Sequence, residues 1–229
     1  MFPESGTFGC PICFYNVEMN LLDRLICELD AGLRTVFANG PAGRPIPRPL
    51  SAAPLSTTLD AQVAAESIRL MRVNHCGEVC AQALYQGQAL VAKLPATKSL
   101  LESAAAEERD HLAWCQSRLN ALGGNSSRLA PIFYAGSYGL GVVSGLLGDK
   151  WSLGFLIETE QQVEAHLDDH LEKLPAEDKP SRAILEAMRA DEIRHGQSGI
   201  SHGGAPLPLP IKASMRGFSK VMTRSTYWV

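Results

Sequence analysis

The chain has 229 residues, with 24 Asp and Glu against 21 Lys and Arg, six His, a formal net charge of −3 and 45% hydrophobic residues. That length suits one globular domain with a short appendage. A charge near zero lacks the basic excess of a nucleic-acid protein, and the apolar content is that of a folded core, not of a disordered or multi-span membrane chain.

The first 18 residues are aperiodic and hold Cys10-Pro-Ile-Cys13, half of a zinc site with no second Cys or His pair at metal spacing nearby. No signal peptide precedes Cys10, Cys13, Cys27, Cys76, Cys80 and Cys115, so reduced, unpaired thiols are expected for all six. Met19 offers an alternative start of translation. Residues 20–37 carry apolar side chains at helical spacing and predict a short amphipathic helix. From Asn39 to Pro54, five prolines and two glycines exclude helix and sheet and predict an extended linker. Residues 1–56 are accordingly placed outside the core, and the body, 57–229, begins near Thr57.

Four long helices follow, with almost nothing that reads as strand. Thr58, Leu59 and Asp60 offer caps for the first, which runs to Leu94 and is broken by Pro95. The second spans Ala96 to Leu122 and stops at Gly123-Gly124, the third spans Trp151 to Leu174, and the fourth spans Ser181 to about His202 ahead of Gly203-Gly204. Between the pairs lies an apolar crossover, Leu129 to Gly148. Two helical hairpins joined by one long crossover is ferritin-like connectivity, so the expected fold is all-α: a ferritin-like four-helix bundle with a long apolar crossover and flanking short helices.

Of fifteen glutamates, two have a histidine three positions later: Glu108-Arg109-Asp110-His111 and Glu192-Ile193-Arg194-His195. Composition alone gives about 0.4 such pairs, the check that a short motif requires. An i, i+3 pair lies on one helix face and presents carboxylate and imidazole to the same ion. Dinuclear carboxylate bundles take one Glu from each of two helices and a Glu-x-x-His from each of the other two. Glu78 lies 30 residues before Glu108 with the Pro95 turn between them, and Glu160 lies 32 before Glu192 across the Pro175–Pro180 turn. The half-motif therefore occurs twice, offset by 82 residues at Glu78/Glu160 and by 84 at Glu108/Glu192. Glu158 and Glu164 compete with Glu160 on the third helix, and periodicity does not choose among them. Ligation by carboxylates and two imidazoles, without thiolate, favours iron or manganese. Asp110 and Asp191 are candidates to orient the imidazoles.

Arg72-Val73-Asn74-His75-Cys76-Gly77-Glu78, Glu108-Arg109-Asp110-His111, Glu160 with His166, and Asp191-Glu192-Ile193-Arg194-His195 together resemble the demethoxyubiquinone hydroxylase family over roughly residues 57–225. The resemblance implies a ferritin-like diiron monooxygenase acting late in ubiquinone biosynthesis. It implies Glu78, Glu108, His111, Glu160, Glu192 and His195 as ligands of two Fe2+ ions, thereby choosing Glu160, and His166 as a residue near the substrate. It further implies O2 and a two-electron donor, NADH, as co-substrates. The ring of a polyprenylated demethoxyubiquinol is the substrate, and other ubiquinone-biosynthesis proteins are possible partners. Where that family reads Ala, this chain has Cys76, a small thiol exposed to oxidation if it faces the metals.

A prenylated substrate resides in a bilayer. The crossover is a 20-residue uncharged run, but its five glycines and Pro131 make it a poor spanning helix. An interfacial segment that admits the tail is the leading expectation, with a buried crossover of no lipid role beside it. From Ile211, Lys212, Arg216, Lys220 and Arg224 recur every four residues, which suits an anionic membrane surface or a docked solvated helix. The expected location is the cytoplasmic side of the inner cell membrane, held peripherally. A ferritin-like ferroxidase or peroxidase, and a non-catalytic lipid-binding bundle, are the rival readings.

Overall fold

A computed structural model of the chain describes residues 20–37, 40–49 and 59–229; the Cys10/Cys13 pair, Met19 and the expected onset of the body at Thr57 lie outside them. The described residues form seven helices and no strand: α1 (Leu21–Phe37), α2 (Ala61–Val91), α3 (Pro95–Ala121), α4 (Ala130–Leu146), α5 (Asp149–Lys173), α6 (Lys179–Ser201) and α7 (Leu209–Thr226). The hairpins α2–α3 and α5–α6 build the bundle, and α4 is the crossover, as the sequence predicts.

Local chemistry sets the ends. The Asp60 carboxylate accepts from the Gln62 amide at 2.9 Å and caps α2. α2 ends at Val91, three residues before the expected Leu94, and Pro95 opens α3 at its first position. The turn between them is fastened to the start of α5, because the Lys93 and Leu94 amides donate to the Asp149 carboxylate at 3.0 and 2.7 Å. Asp178 caps α6 through the Ser181 amide and also accepts from Arg118 on α3 at 2.7 Å, a buried pair that ties the hairpins together. Gly123, φ 74°, provides the left-handed residue after α3.

The core has two main layers. One gathers Leu70 and Met71, Trp114 and Leu119, Leu167, and Leu185 and Met188; the other gathers Leu84 and Tyr85, Leu101 and Ala105, and Leu156. On every bundle helix except the last, the motif glutamate falls between these layers in sequence, and on α6 it follows Met188.

Gly141 and Gly145 of α4 and Gly87 of α2 serve close packing of these two helices. A Cβ on Gly141 would lie 2.2 Å from the Leu84 carbonyl oxygen, one on Gly87 2.4 Å from the Tyr138 carbonyl oxygen, and one on Gly145 2.4 Å from Val91. No helix among the described residues is long and apolar enough to cross a membrane, so the crossover does not span one as a helix. α7 lies over α2 and α5; Phe218 meets Phe133 of α4 edge-on at 5.7 Å, and Lys212 Nζ lies 2.6 Å from Glu158.

Residues 40–49 have neither helix nor strand, as their prolines dictate. The segment is nevertheless a strap and not a free spacer. The Gly43 amide and Arg44 Nε donate to Asp110 at 2.6 and 2.7 Å, and the Arg44 guanidinium lies 4.8 Å over the Trp114 ring.

Replacing Gly141 by Ala is expected to lower the unfolding free energy by about 1–3 kcal/mol, because backbone has no room to yield. Gly139→Ala, where an added Cβ meets nothing within 4 Å, is expected to stabilise by up to about 1 kcal/mol through helix propensity. Denaturant unfolding of the two variants checks the opposite signs.

Candidate metal centre

The six residues singled out in the sequence converge. Glu78, Glu108, His111 and Glu192 bring ligand atoms within 4.8 Å of one another, and so do Glu108, Glu160, Glu192 and His195. Glu108 and Glu192 belong to both groups, so the geometry is that of two adjacent cation positions with two shared carboxylates between them. His111 Nδ1 lies 3.4, 3.0 and 3.3 Å from Glu78, Glu108 and Glu192. His195 Nδ1 lies 3.4, 3.5 and 3.6 Å from Glu108, Glu160 and Glu192. All six are buried. One oxygen each of Glu108, Glu160 and Glu192, and both nitrogens of His195, have no hydrogen-bond partner. Buried polar atoms without partners are rare in folded proteins, and this oxygen-rich set with two imidazoles fits a pair of iron or manganese ions.

The competing acids are placed elsewhere. Glu158 turns to α7, where it meets Lys212 and, at 3.8 Å, Arg216; Glu164 lies 3.7 Å from Arg189. Two of the four recurrent basic residues of α7 are thereby committed to the protein itself.

Asp191 and Asp110, paired in the sequence reading, do different things. Asp191 Oδ2 accepts from His111 Nε2 at 2.9 Å, which turns Nδ1 towards the carboxylates. Asp110 holds Arg44, whose Nη1 lies 2.8 Å from Asp191, so Asp110 acts on the imidazole only through the strap. The position corresponding to Asp191 is Glu107, whose carboxylate lies 3.4 Å from His195 Nε2 as an ionic neighbour, without the hydrogen bond that Asp191 makes. Glu107 precedes Glu108 as Asp191 precedes Glu192, again offset by 84 residues, and that repeat is the signal that reveals it. Arg194 joins the two, bonding Asp191 and, at 2.7 Å, Glu107. Tyr85 also escapes the motif search: its hydroxyl donates to Glu160 at 2.5 Å from two turns beyond Glu78. Cys76 is fully buried among Val79, Ala130, Phe133 and Met222, on the α4 and α7 side of α2. A bond to Cys80 and burial push its thiol well above the ordinary range.

Protons and cations compete for this cluster. Burial pushes the Glu78 and Glu160 carboxyls well up, with the Glu192 charge adding to the rise at Glu160. Burial acts the same way on Glu108 and Glu192, but His111, His195 and, for Glu192, the bond to Glu160 overcome it and hold both low. Burial alone would lower the imidazoles; the surrounding carboxylates instead raise His111 and His195 above their usual range. Metal ligation needs neutral imidazoles and ionised carboxylates, so binding must displace protons.

A cavity of about 540 Å³ borders the cluster at Glu78. Leu140 from α4, Phe155 and His166 from α5, and Met215 and Phe218 from α7 line it. His166 is half-buried, its ring centroid 3.8 Å from that of His170, and burial lowers it to about 4, so it is neutral at ordinary pH. A second cavity of about 380 Å³ borders His195 and Glu107 and is lined by Ser99, Ser103, Ser198 and His202. The two sides of the cluster therefore differ, strongly apolar at Glu78 and mixed at His195, where Leu100 and Leu156 stand beside the serines.

Bundle, hairpin repeat and shared-carboxylate cluster define a ferritin-like dinuclear metalloprotein. The family model described as "Ubiquinone biosynthesis protein COQ7" matches residues 65–226, and the chain belongs to that family of diiron enzymes. Among its relatives, a protein of Polynucleobacter necessarius named 3-demethoxyubiquinol 3-hydroxylase is 52% identical over 209 residues, covering 91% of this chain and 99% of the relative. Proteins of the same name from Nitrosomonas eutropha and Burkholderia pseudomallei are 53% and 52% identical over 209 residues, covering 91% of this chain and 99% and 100% of their own lengths.

Asp191→Asn is expected to weaken Fe2+ or Co2+ binding by about 10–100-fold, and Glu107→Gln to weaken it in the same direction, through the loosened imidazoles. Affinity for either ion is expected to rise with pH and binding to release protons, because raised imidazole and carboxyl groups must deprotonate first. Anaerobic metal titration at several pH values, with a proton indicator, checks both.

Proposed function

We propose that the protein is a diiron monooxygenase that hydroxylates the ring of a polyprenylated demethoxyubiquinol, late in ubiquinone biosynthesis. Glu78, Glu108, His111, Glu160, Glu192 and His195 would hold two iron ions, Glu108 and Glu192 being the residues common to both ligand groups. When bound and reduced, the iron pair supplies O2 activation; one oxygen atom replaces a ring hydrogen and the other leaves as water, which takes two electrons and two protons. NADH is the proposed source of the electrons.

The observation that carries this reading is the apolar cavity against Glu78. Its volume suits a substituted ring and the first part of a tail. A ferroxidase or peroxidase has no use for such a cavity, and its position favours a lipophilic substrate over small hydrated ones. In this reading His166 faces the substrate, Tyr85 steadies Glu160, and Asp191 and Glu107 fix the imidazoles. The domain division follows the same lines: residues 57–229 carry the chemistry, and the preceding segment contributes the Arg44 strap.

Membrane attachment is peripheral in this proposal, on the cytoplasmic side of the inner cell membrane, where other ubiquinone-biosynthesis proteins also work. Exposed apolar side chains support it: Leu22, Ile26, Leu29, Leu33 and Phe37 form one stripe on α1. Ile132, Val143 and Leu146 stand out from α4, and Phe218, which lines the cavity, and Val221 from α7. Lys220 and Arg224 are exposed, and neither pairs with an acid among the described residues.

Iron-loaded protein incubated aerobically with reductant and a short-tail demethoxyquinol is expected to yield a product heavier by one oxygen atom, labelled when 18O2 is used; no oxygen gain would sink the reading. Vesicles rich in anionic lipid are expected to sediment the protein, and the double variant Lys220→Glu, Arg224→Glu to weaken that binding by about thirtyfold or more, as roughly 1 kcal/mol per basic residue implies. Sedimentation unaffected by the double variant removes α7 from the membrane contact.

A further inference from the structure

Asn74 stands on α2 one turn before Glu78, on the same face, and lines the apolar cavity. It is 2% exposed, and neither Nδ2 nor Oδ1 has a hydrogen-bond partner among the described residues. Leaving both ends of a buried amide unmet is costly, and a leucine of nearly the same shape would occupy the position without that cost. Apart from Asn74, the cavity wall carries one other such atom, Nε2 of His166. Two polar groups without partners, in a pocket otherwise lined mainly by apolar side chains, mark where a ligand brings its own polar atoms.

We propose that Asn74 is the ring-recognising residue of the cavity: its carboxamide bonds an oxygen of the quinol ring and so positions the ring one helical turn from Glu78. This rests on the quinol reading above and adds to it the group that distinguishes ring from tail. A carboxamide suits a ligand that exists in two oxidation states. Oδ1 accepts from the hydroxyl of a quinol, and Nδ2 donates to the carbonyl of a quinone. A neutral imidazole at His166 has the same dual capacity for the second ring oxygen. Neither group adds charge beside four glutamates.

The test uses the full-length iron-loaded protein and the variants Asn74→Leu and Asn74→Ala. Binding is measured for two probes, a short-tail demethoxybenzoquinone and a prenyl alcohol with the same tail but no ring, together with iron content, thermal unfolding and the KM and kcat of hydroxylation. Both variants are expected to bind the quinone about tenfold more weakly, the loss of one hydrogen bond to a desolvated amide. KM for the quinol rises accordingly, while prenyl alcohol binding and iron content stay unchanged. Asn74→Leu is further expected to melt at the wild-type temperature or a few degrees above it, because it relieves the unmet amide. Quinone binding equal to wild type in both variants overturns the proposal. Equal losses for both probes, with a lowered melting temperature in both variants, also overturn it, because a structural role produces that pattern. If the wild-type protein binds the prenyl alcohol but not the quinone, the quinol reading itself falls, and this assignment with it.

Discussion

Four carboxylates enclosed between two apolar layers are the constraint around which this molecule is arranged. Such a cluster cannot hold its charge without compensation, since an uncompensated ion in a medium of low polarity costs several kcal/mol. The imidazoles at His111 and His195, the protons drawn onto Glu78 and Glu160 and the Tyr85 hydroxyl each answer part of that demand. Divalent ions answer it more completely. Both hairpins contribute to each ligand group, because Glu108 and Glu192 come from different hairpins and belong to both groups. The electrostatics of the centre and the registration of the two hairpins are therefore one problem.

Much of this was legible in the sequence because it repeats. The Glu-x-x-His spacing locates Glu108, Glu192 and both imidazoles, and the hairpin offsets bring in Glu78 and the acidic stretch of α5, since helix geometry converts such spacing into a shared face; Glu160 was singled out from Glu158 and Glu164 only by the family resemblance. Helix limits followed from Pro95, Gly123 and Gly203 to within a few residues. Glycine in the crossover was harder: composition marks Gly141 and Gly145 as helix-weakening, whereas their purpose is contact between the backbones of α2 and α4. Contacts between residues far apart in the chain left no periodic trace. Arg44 reaches Asp110 and Asp191 from a proline-rich stretch that reads as a spacer, and the use of Lys212 by Glu158 is hidden in what looks like a basic membrane face. Glu107 was recoverable, since it obeys the same 84-residue offset as its neighbour. Asp110 was not separable from Asp191 until geometry showed which one touches an imidazole.

The repeat builds a nearly symmetric centre, and everything unrepeated makes its surroundings asymmetric. Among the described residues α4 and α7 have no counterpart on the other flank, and they supply apolar walls beside Glu78, while serines and His202 mingle with Leu100 and Leu156 on the His195 side. The metal chemistry is thus a property of the duplicated hairpins. The apolar cavity beside it is a property of the added helices.

Those two added walls differ in compliance. α4 meets α2 through backbone at Gly87 and Gly141, where the close approach leaves no slack, and a buried bond from Gln88 to Ser144 at 3.2 Å fastens it further. α7 is fastened differently at its two ends. Tyr227, just beyond it, bonds Glu66 at 2.7 Å, with Arg69 stacked 5.5 Å over its ring, whereas the other end is held to α5 by Lys212 and Arg216 on Glu158. Ion pairs at that end separate with little repacking, and salt weakens them. The α7 wall is therefore the more compliant of the two, a beam anchored near Tyr227 whose other end rests on the ion pairs of two cations with one glutamate.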